Sequence, residues 1–392
     1  MTYQERADKV LAQGCLTYSK RADQFVKGVY PTHVYGNNSG CVLITDNGRS
    51  YYDFCGGLGG NLINCENNYT LPSAYEVDLA EKIRGRIPIC EKMRFLKTGS
   101  EACQAAVRIA RAFIQNKSGE DYPRMVFGHG YHGWHNIFIS EEYPGLGTCM
   151  EHYQKFNLID ELCQYVELMD NNQDTVCAVI VEPVQLDIDV RPLLQMLRDL
   201  CTMKGIVLIF DEVITGFRVP KYCVSNYLDV QPDLITFGKA LGNGFPLAVI
   251  GGRAEIMDTP DYFVSSTFAG EMSAIKAGLR TIDYLTLERL NDLWRRGGEF
   301  KTRVNAISKN IQLYGINTKA IWKAADDKYK ALFFQEMCKR GFLIGKAWHM
   351  LFCHTDRLCD LFVQGMKEVI KLIEDGEVKL EGDLPREVFK RN

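Results

Sequence analysis

The chain has no CxxC pair, no long apolar run, no dinucleotide-binding turn and almost no net charge, and each absence removes a class of function. Its 46 Lys and Arg nearly balance 49 Asp and Glu, leaving a net charge of −3. No broad field therefore draws nucleic acid or an anionic membrane, although a local basic pocket for a phosphate is allowed. The 14 cysteines are scattered, the closest two being Cys353 and Cys359, and several sit in apolar runs such as VCAVIVEP (176–183). They read as reduced core residues rather than a disulfide framework or a zinc site. The first twenty residues are charged from the fifth onward and lack a signal peptide's apolar stretch, and no window reaches the ~18 apolar residues of a membrane span. The expectation is a cytoplasmic protein. The GGLGG at 56–60 is not set between a clear strand and helix, so a nicotinamide-binding Rossmann reading fails.

What is present is a chain of 392 residues, 46 % hydrophobic, long enough for two cores because single cores stop growing at about 250–300 residues. Through its middle, short apolar runs alternate with helical patterns. MRFL (93–96), RMVF (124–127), CAVIV (177–181), IVLIF (206–210), DLITF (233–237) and LAVIGG (247–252) read as strands. Between them, SEACQAAVRIARAFI repeats its apolar residues at helical spacing, and RPLLQMLRDLCTMKG is a helix closed by Gly205. This alternation predicts an α/β fold with a mostly parallel sheet covered by helices on both faces. From about residue 290 the pattern changes to long amphipathic helices, LERLNDLWRRGGEFKTRVNAISKNI among them, with short strands before the last helix. The expected division is residues 51–289 as the large domain, with 1–50 and 290–392 forming a smaller α+β domain.

In open α/β sheets, ligands bind at the carboxyl ends of the strands. Glu182 follows CAVIV, Asp211 follows IVLIF, and Lys239 follows DLITF by two residues. Lys239 is the one charge between Leu234 and Ile250, which suggests an amine carried into an apolar interior. KTGSEA (97–102) joins a strand to a helix, with Gly99 in the turn and Ser100 at the helix start. Backbone N–H groups there suit a phosphate, and Thr98 and Glu101 also stand at capping-box spacing. FGHGYHGWHN (127–136) spaces His129, His132 and His135 three apart, but its glycines argue against a helix, and no metal is expected. Tyr131 on that loop can instead stack on a flat ring. A phosphate cradle, a stacking aromatic, a strand-end aspartate and a desolvated lysine describe a pyridoxal 5′-phosphate (PLP) site. The lysine forms a Schiff base with the aldehyde, and the aspartate keeps the pyridine nitrogen protonated.

LIFDEVITGFRV, followed by LITFGKALGNGFPLAVIGGR, resembles the class III (fold type I) PLP-dependent aminotransferases, especially their glutamate-1-semialdehyde aminomutase branch. RFLKTGSEACQAAVRIARAF, YHGW, AVIVEPVQ and STFAGEMSAIKAG match in the same order, and the similarity runs from about residue 22 to 375. The resemblance implies that Lys239 bonds the cofactor and shuttles the substrate proton. It makes Asp211 the partner of the pyridine nitrogen, Val213 the residue under the ring and Tyr131 the aromatic on its other face. Gly99 and Ser100 correspond to the phosphate loop. Glu182 and Gln185 lie in the block near the ring hydroxyl, with Gln185 favoured as the direct contact. Thr267 corresponds to a phosphate ligand given by the neighbouring subunit, which implies a homodimer with shared sites.

Several positions depart from the family pattern. The branch carries an arginine for the substrate carboxylate near its N-terminus, but the matching YPTHVYG (30–36) has none, and His33 or Tyr35 stands there. The family's SGN reads AGE, which places Glu271 near the cofactor phosphate. These changes point to a substrate with a distal amine or hydroxyls, such as an amino sugar or a nucleoside-linked group. The expected activity is that of a transaminase moving an amino group between an amino donor and a carbonyl substrate. An amino-acid decarboxylase or an aminomutase on the same scaffold is the alternative. A binding protein with a retired site predicts loss of Lys239 or Asp211, and both are present.

Overall fold

A computed structural model describes residues 1–25, 29–39, 41–58, 60–62, 67–119, 125–139, 153–156, 176–184 and 189–385. These residues divide into two compact units. The first comprises Met1–Pro183, Val190–Phe217 and Lys221–Thr286; the second comprises Val184–Asp189, Arg218–Pro220 and Leu287–Asn392. No described helix is long and apolar enough to cross a membrane.

The first unit contains two sheets. A small antiparallel one is formed by β1 (Val34–Ser39), β2 (Val42–Thr45) and β3 (Ser50–Tyr52). The main sheet has seven strands: β4 (Lys92–Leu96), β5 (Met125–His129), β6 (Tyr153–Lys155), β7 (Val176–Val181), β8 (Val207–Asp211), β9 (Leu234–Phe237) and β10 (Ala248–Gly252). Their spatial order is β4-β10-β9-β8-β7-β5-β6. β5 to β9 run parallel to one another, while β10 is antiparallel to both β4 and β9. The continuous apolar runs explain this arrangement, since every residue of β7, β8, β9 and β10 is buried, as strands covered on both faces require.

The helix Gly99–Ser118 packs on β9, β10 and β7 through Ala102, Ala105, Ala106, Ile109 and Ala110, all buried. Small side chains on that face bring the helix close to the sheet. Thr98 caps the helix and Glu101 reaches back to complete the capping box. The helix Arg191–Lys204 ends as expected at Gly205, whose φ is +67°.

Residues 1–50 belong to this first unit, whereas the sequence reading had grouped them with residues 290–392. Their anchor is Arg94 on β4, 1 % exposed. Its guanidinium donates to the carbonyls of Cys15, Leu16 and Val264 and to the Gln13 side chain. Leu11 also bridges to Met93 beside it.

The second unit sets an antiparallel sheet, β11 (Ile311–Ile316), β12 (Lys319–Ala324) and β13 (Ala347–His349), with helices Leu287–Asn305, Asp327–Lys339 and Asp356–Glu374. Phe300, Trp322, Trp348 and Phe362 share its core. The first helix stops at Asn305, short of the residues read as helical from sequence. Asn305 turns the chain there by bonding both the N–H and the carbonyl of Leu313 on β11.

Candidate active site

The carboxyl ends of β5, β7, β8 and β9 lie side by side, and the residues that leave them form one polar cluster. Asp211 ends β8 and is paired in register with Thr236 on β9. Only 4 % of it is exposed, yet its carboxylate accepts four hydrogen bonds. Val213 N–H (3.0 Å) and the Thr236 hydroxyl (3.1 Å) donate to Oδ1, while His132 Nδ1 (2.8 Å) and the Cys103 thiol (3.2 Å) donate to Oδ2. Burial pushes its pKa upward, but the bond and charge of His132, then the Val213 N–H and the Cys103 thiol, outweigh it. The carboxyl is held below the ordinary range. Burial beside that charge holds the Cys103 thiol well above its usual value.

The loop after β5 is fitted around the same point. Gly130 has φ +118°, and a Cβ there would lie 2.7 Å from Glu182 Oε2. Glu182, buried at the end of β7, accepts the Tyr131 N–H at 3.1 Å. A Cβ on Gly133, whose φ is +106°, would overlap Ser100 Oγ, and that oxygen accepts the Trp134 N–H at 3.3 Å. The YHGW loop is thereby held over the start of helix Gly99–Ser118. Val213 packs under both turns: a Cβ on Gly99 would lie 2.7 Å from its Cγ1, and one on Gly238 3.3 Å from it. Glycine at position 99 is therefore required by close approach.

Lys239 opens a short 3-10 turn, Lys239–Leu241, immediately past β9 and three residues beyond the strand partner of Asp211. Its φ of +38° lies in the left-handed region, a conformation that costs a non-glycine residue on the order of 1 kcal/mol. The sequence suggested a desolvated amine, but Lys239 is exposed in the single chain. The buried strand ends at Phe237, and the extended Gly238 carries the chain out of the core before the lysine is reached.

The remaining expectations divide. Tyr131 is 40 % exposed on its loop. Thr267 is half-buried between Val264 and Ala269, and its hydroxyl meets no partner among the described residues. Gln185 lies outside the described residues. His33 is fully buried against Tyr3, and burial lowers its pKa to about 4; Tyr35 meets the edge of the Tyr3 ring. Both belong to the packing of the N-terminal helix rather than to a carboxylate site. The three histidines do not converge: His129 Nδ1 donates to the Phe156 carbonyl (3.0 Å), His132 serves Asp211, and His135 meets Trp134. Instead, ligand-type atoms of Cys103, His132 and Asp211 lie within 4.8 Å of one another, and their hydrogen bonds account for the grouping.

These groups fit PLP. The helix start offers unpaired N–H groups for a phosphate beside a turn that excludes any Cβ at residue 99. Asp211 is an ionised, buried carboxylate on which a ring N–H would replace one of the four donors, the Cys103 thiol being the weakest of them, and Lys239 is an accessible amine at the same sheet end.

Comparison with known proteins agrees. The sequence model of the family described as Aminotransferase class-III matches residues 61–347. The chain belongs to the class-III aminotransferase family. Its cofactor is pyridoxal 5′-phosphate, and it is an enzyme of the PLP-dependent transaminase kind. The chain is 32 % identical over 344 residues to a glutamate-1-semialdehyde 2,1-aminomutase of Methanothermobacter thermautotrophicus, covering 79 % of this chain and 78 % of that protein. It is 34 % identical over 330 residues to the protein of that name from Haloarcula marismortui, covering 74 % and 72 %. Its fold is similar to that of an omega-transaminase from Sphaerobacter thermophilus (TM-score 0.70, 22 % identity, 94 % and 96 % of the chains). It is equally similar to a beta-phenylalanine aminotransferase from Variovorax paradoxus (TM-score 0.70, 23 % identity, 91 % and 90 %).

Sequence reasoning missed the part this class-III aminotransferase gives to His132, Thr236 and Cys103. A signal existed for two of them. His132 adjoins Tyr131, and Cys103 lies on the buried face of the helix one turn past Gly99.

Proposed function

We propose that this aminotransferase transfers an amino group from an amino donor to a carbonyl substrate with Lys239 and Asp211 as its catalytic residues. The observation that carries the reading is the buried Asp211 carboxylate, kept ionised by four donors at the sheet end where Lys239 emerges. Bound PLP supplies an electron sink for the charge left when a bond at the amino-bearing carbon breaks. Lys239 Nζ holds the cofactor and moves the proton at that carbon. Asp211 holds the proton on the ring nitrogen, and His132 orients Asp211. Gly99 and Ser100 bind the phosphate, Val213 and Tyr131 flank the ring, and Glu182 keeps Tyr131 in place, with Gln185 at the ring hydroxyl.

The functional form in this reading is a cytoplasmic homodimer in which Thr267 completes the partner's phosphate site. The Thr267 hydroxyl, which meets no partner among the described residues, supports it. The test is the visible spectrum of the purified protein before and after L-glutamate. A yellow band that bleaches supports PLP and transfer from that donor. A protein that PLP cannot turn yellow refutes the assignment of Lys239.

A second reading, internal transfer within glutamate-1-semialdehyde, is favoured by the names of the relatives. Against it, residues 30–36 carry no arginine. Turnover of that compound without a second amino donor would decide for it.

A further inference from the structure

A group of charges outside the catalytic cluster joins the phosphate turn to the loop that carries Thr267. Lys97 is the residue after β4 and stands two positions before Gly99; its ammonium pairs with Glu271 Oε2 at 3.4 Å, with both side chains largely shielded from water. Glu271 also caps the helix Met272–Tyr284 by accepting the N–H groups of Ser273 and Ala274. Behind this pair lies Glu76, 3 % exposed, whose Oε1 accepts the Ser73 N–H. Burial drives the Glu76 pKa up, while the charges of Lys20 and Lys97 oppose that shift. Lys20 is itself buried and donates to Asn68 Oδ1 at 3.2 Å. A Cβ on Gly270 would overlap Glu76 Oε1, so the chain just before Glu271 is seated directly on this carboxylate.

The other end of the loop is also fixed. The Thr17 hydroxyl donates to the Ser266 carbonyl at 2.8 Å, the Tyr18 N–H donates to Ser265 Oγ, and Arg94 donates to the Val264 carbonyl. Thr267 and Phe268 therefore project from a short span clamped at both sides. The Lys97–Glu271 clamp ties the loop to the residue that leads into the chain's own phosphate turn. An ion pair this far shielded holds its geometry better than a solvated one, because neither water nor salt competes fully for the charges.

We propose that Lys97 and Glu271 are positioning residues that aim Thr267 at the partner's cofactor phosphate and thereby couple the two phosphate sites of the dimer. The inference rests on the reading of Thr267 as a ligand across the subunit interface. Loosening Glu271 in one subunit then weakens PLP binding in the other subunit, while the variant's own Lys239 site keeps a fully aimed Thr267.

Mixed dimers test this. Lys239→Ala removes the yellow lysine-bonded band from one site, so the remaining band reports a single site. In the first arrangement, one subunit carries Lys239→Ala together with Glu271→Gln and its partner is wild type. In the second, Lys239→Ala and Glu271→Gln are on opposite subunits. Titrating cofactor-free mixed dimers with PLP and reading the band, we expect about 5- to 20-fold weaker binding in the first arrangement and near-wild-type binding in the second, a size typical of coupling between sites. Glu271→Asp, which keeps the charge, is expected to recover most of the loss, whereas a merely structural defect would not depend on arrangement. Equal binding in both arrangements, or a loss confined to the second, overturns the proposal. A wild-type protein that binds PLP yet sediments as a monomer refutes the shared-site reading instead, and the proposal with it.

Discussion

Replacing Asp211 by Asn separates two opposite expectations for a buried carboxylate. Taking such a charge out of water costs several kcal/mol, so a neutral amide of the same shape would stabilise the cofactor-free protein if burial dominated. Here the carboxyl is held below its ordinary range because its hydrogen bonds outweigh burial, the His132 bond foremost among them. An amide accepts at one end only, and its NH2 group must face either the Val213 N–H and Thr236 hydroxyl or His132 and the Cys103 thiol. If His132 shifts its proton to Nε2, which has no partner among the described residues, one of the two lost bonds is restored. The net loss is then about 1–3 kcal/mol, since hydrogen bonds to charged groups contribute about 1.5–3 kcal/mol each. The native pKa lies below the unfolded one, so Asp211 contributes fully above the unfolded value of about 4 and loses that contribution as pH falls through the native value. Urea unfolding of the cofactor-free wild type and Asp211→Asn at pH 7 measures the difference directly. A variant as stable as wild type, or more so, would refute the account of four donors holding an ionised acid. In the same variant, PLP retention is expected to weaken by about 10- to 100-fold through loss of a charged acceptor.

Lys239→Ala should abolish turnover and the yellow band while keeping PLP bound through its phosphate and ring nitrogen, which equilibrium dialysis can detect; normal turnover would remove Lys239 from the mechanism. Gly99→Ala forces a methyl to 2.7 Å from Val213 Cγ1. It should cost about 1–3 kcal/mol by overpacking and weaken PLP binding, measured by thermal melting with and without the cofactor. Glu212, fully buried beside Asp211, has its carboxyl pushed up to about 7, chiefly by burial and despite its bonds from Val224 N–H, Ser225 N–H and Thr215. The folded form then holds a proton that the unfolded chain releases near pH 4.5, so this group's contribution declines as pH rises from about 4.5 to 7. Unfolding free energy measured across that window should decline less steeply in Glu212→Gln, and an unchanged slope would place the titration elsewhere.

The fold was legible where one physical signal dominated. The apolar runs of β7, β8 and β9 and the helical period of Gly99–Ser118 left no competing assignment, and Gly205 marked its helix end. The pairing of β10 was not legible, because a buried strand has the same composition in either direction. Nor was the first unit's hold on residues 1–50. It depends on Arg94, which from sequence is one charge in MRFL, although the structure buries it beneath five donated bonds to side chains and carbonyls of that unit. In the candidate site, Lys239 and Asp211 stand out in sequence because one follows and the other ends a buried apolar strand. His132 and Cys103 were harder to assign, since their partner is 79 and 108 positions away in sequence.

Lys239 shows how the structure changes the reason for an assignment that the sequence proposes. Its apolar neighbours in sequence belong to the strand before it and the glycine-rich turn after it, and the strand buries Phe237 rather than the lysine. Desolvation of the amine must therefore come from what covers the sheet end in the working enzyme, namely the cofactor and, in the proposed dimer, the partner. This predicts that the lysine's reactivity follows assembly. Reductive trapping of PLP on Lys239, compared at protein concentrations above and below dimer dissociation, should decline with the dimer fraction. An equal yield per subunit from dissociated chains would mean that one chain supplies the whole environment, and that the exposed Thr267 loop serves another purpose.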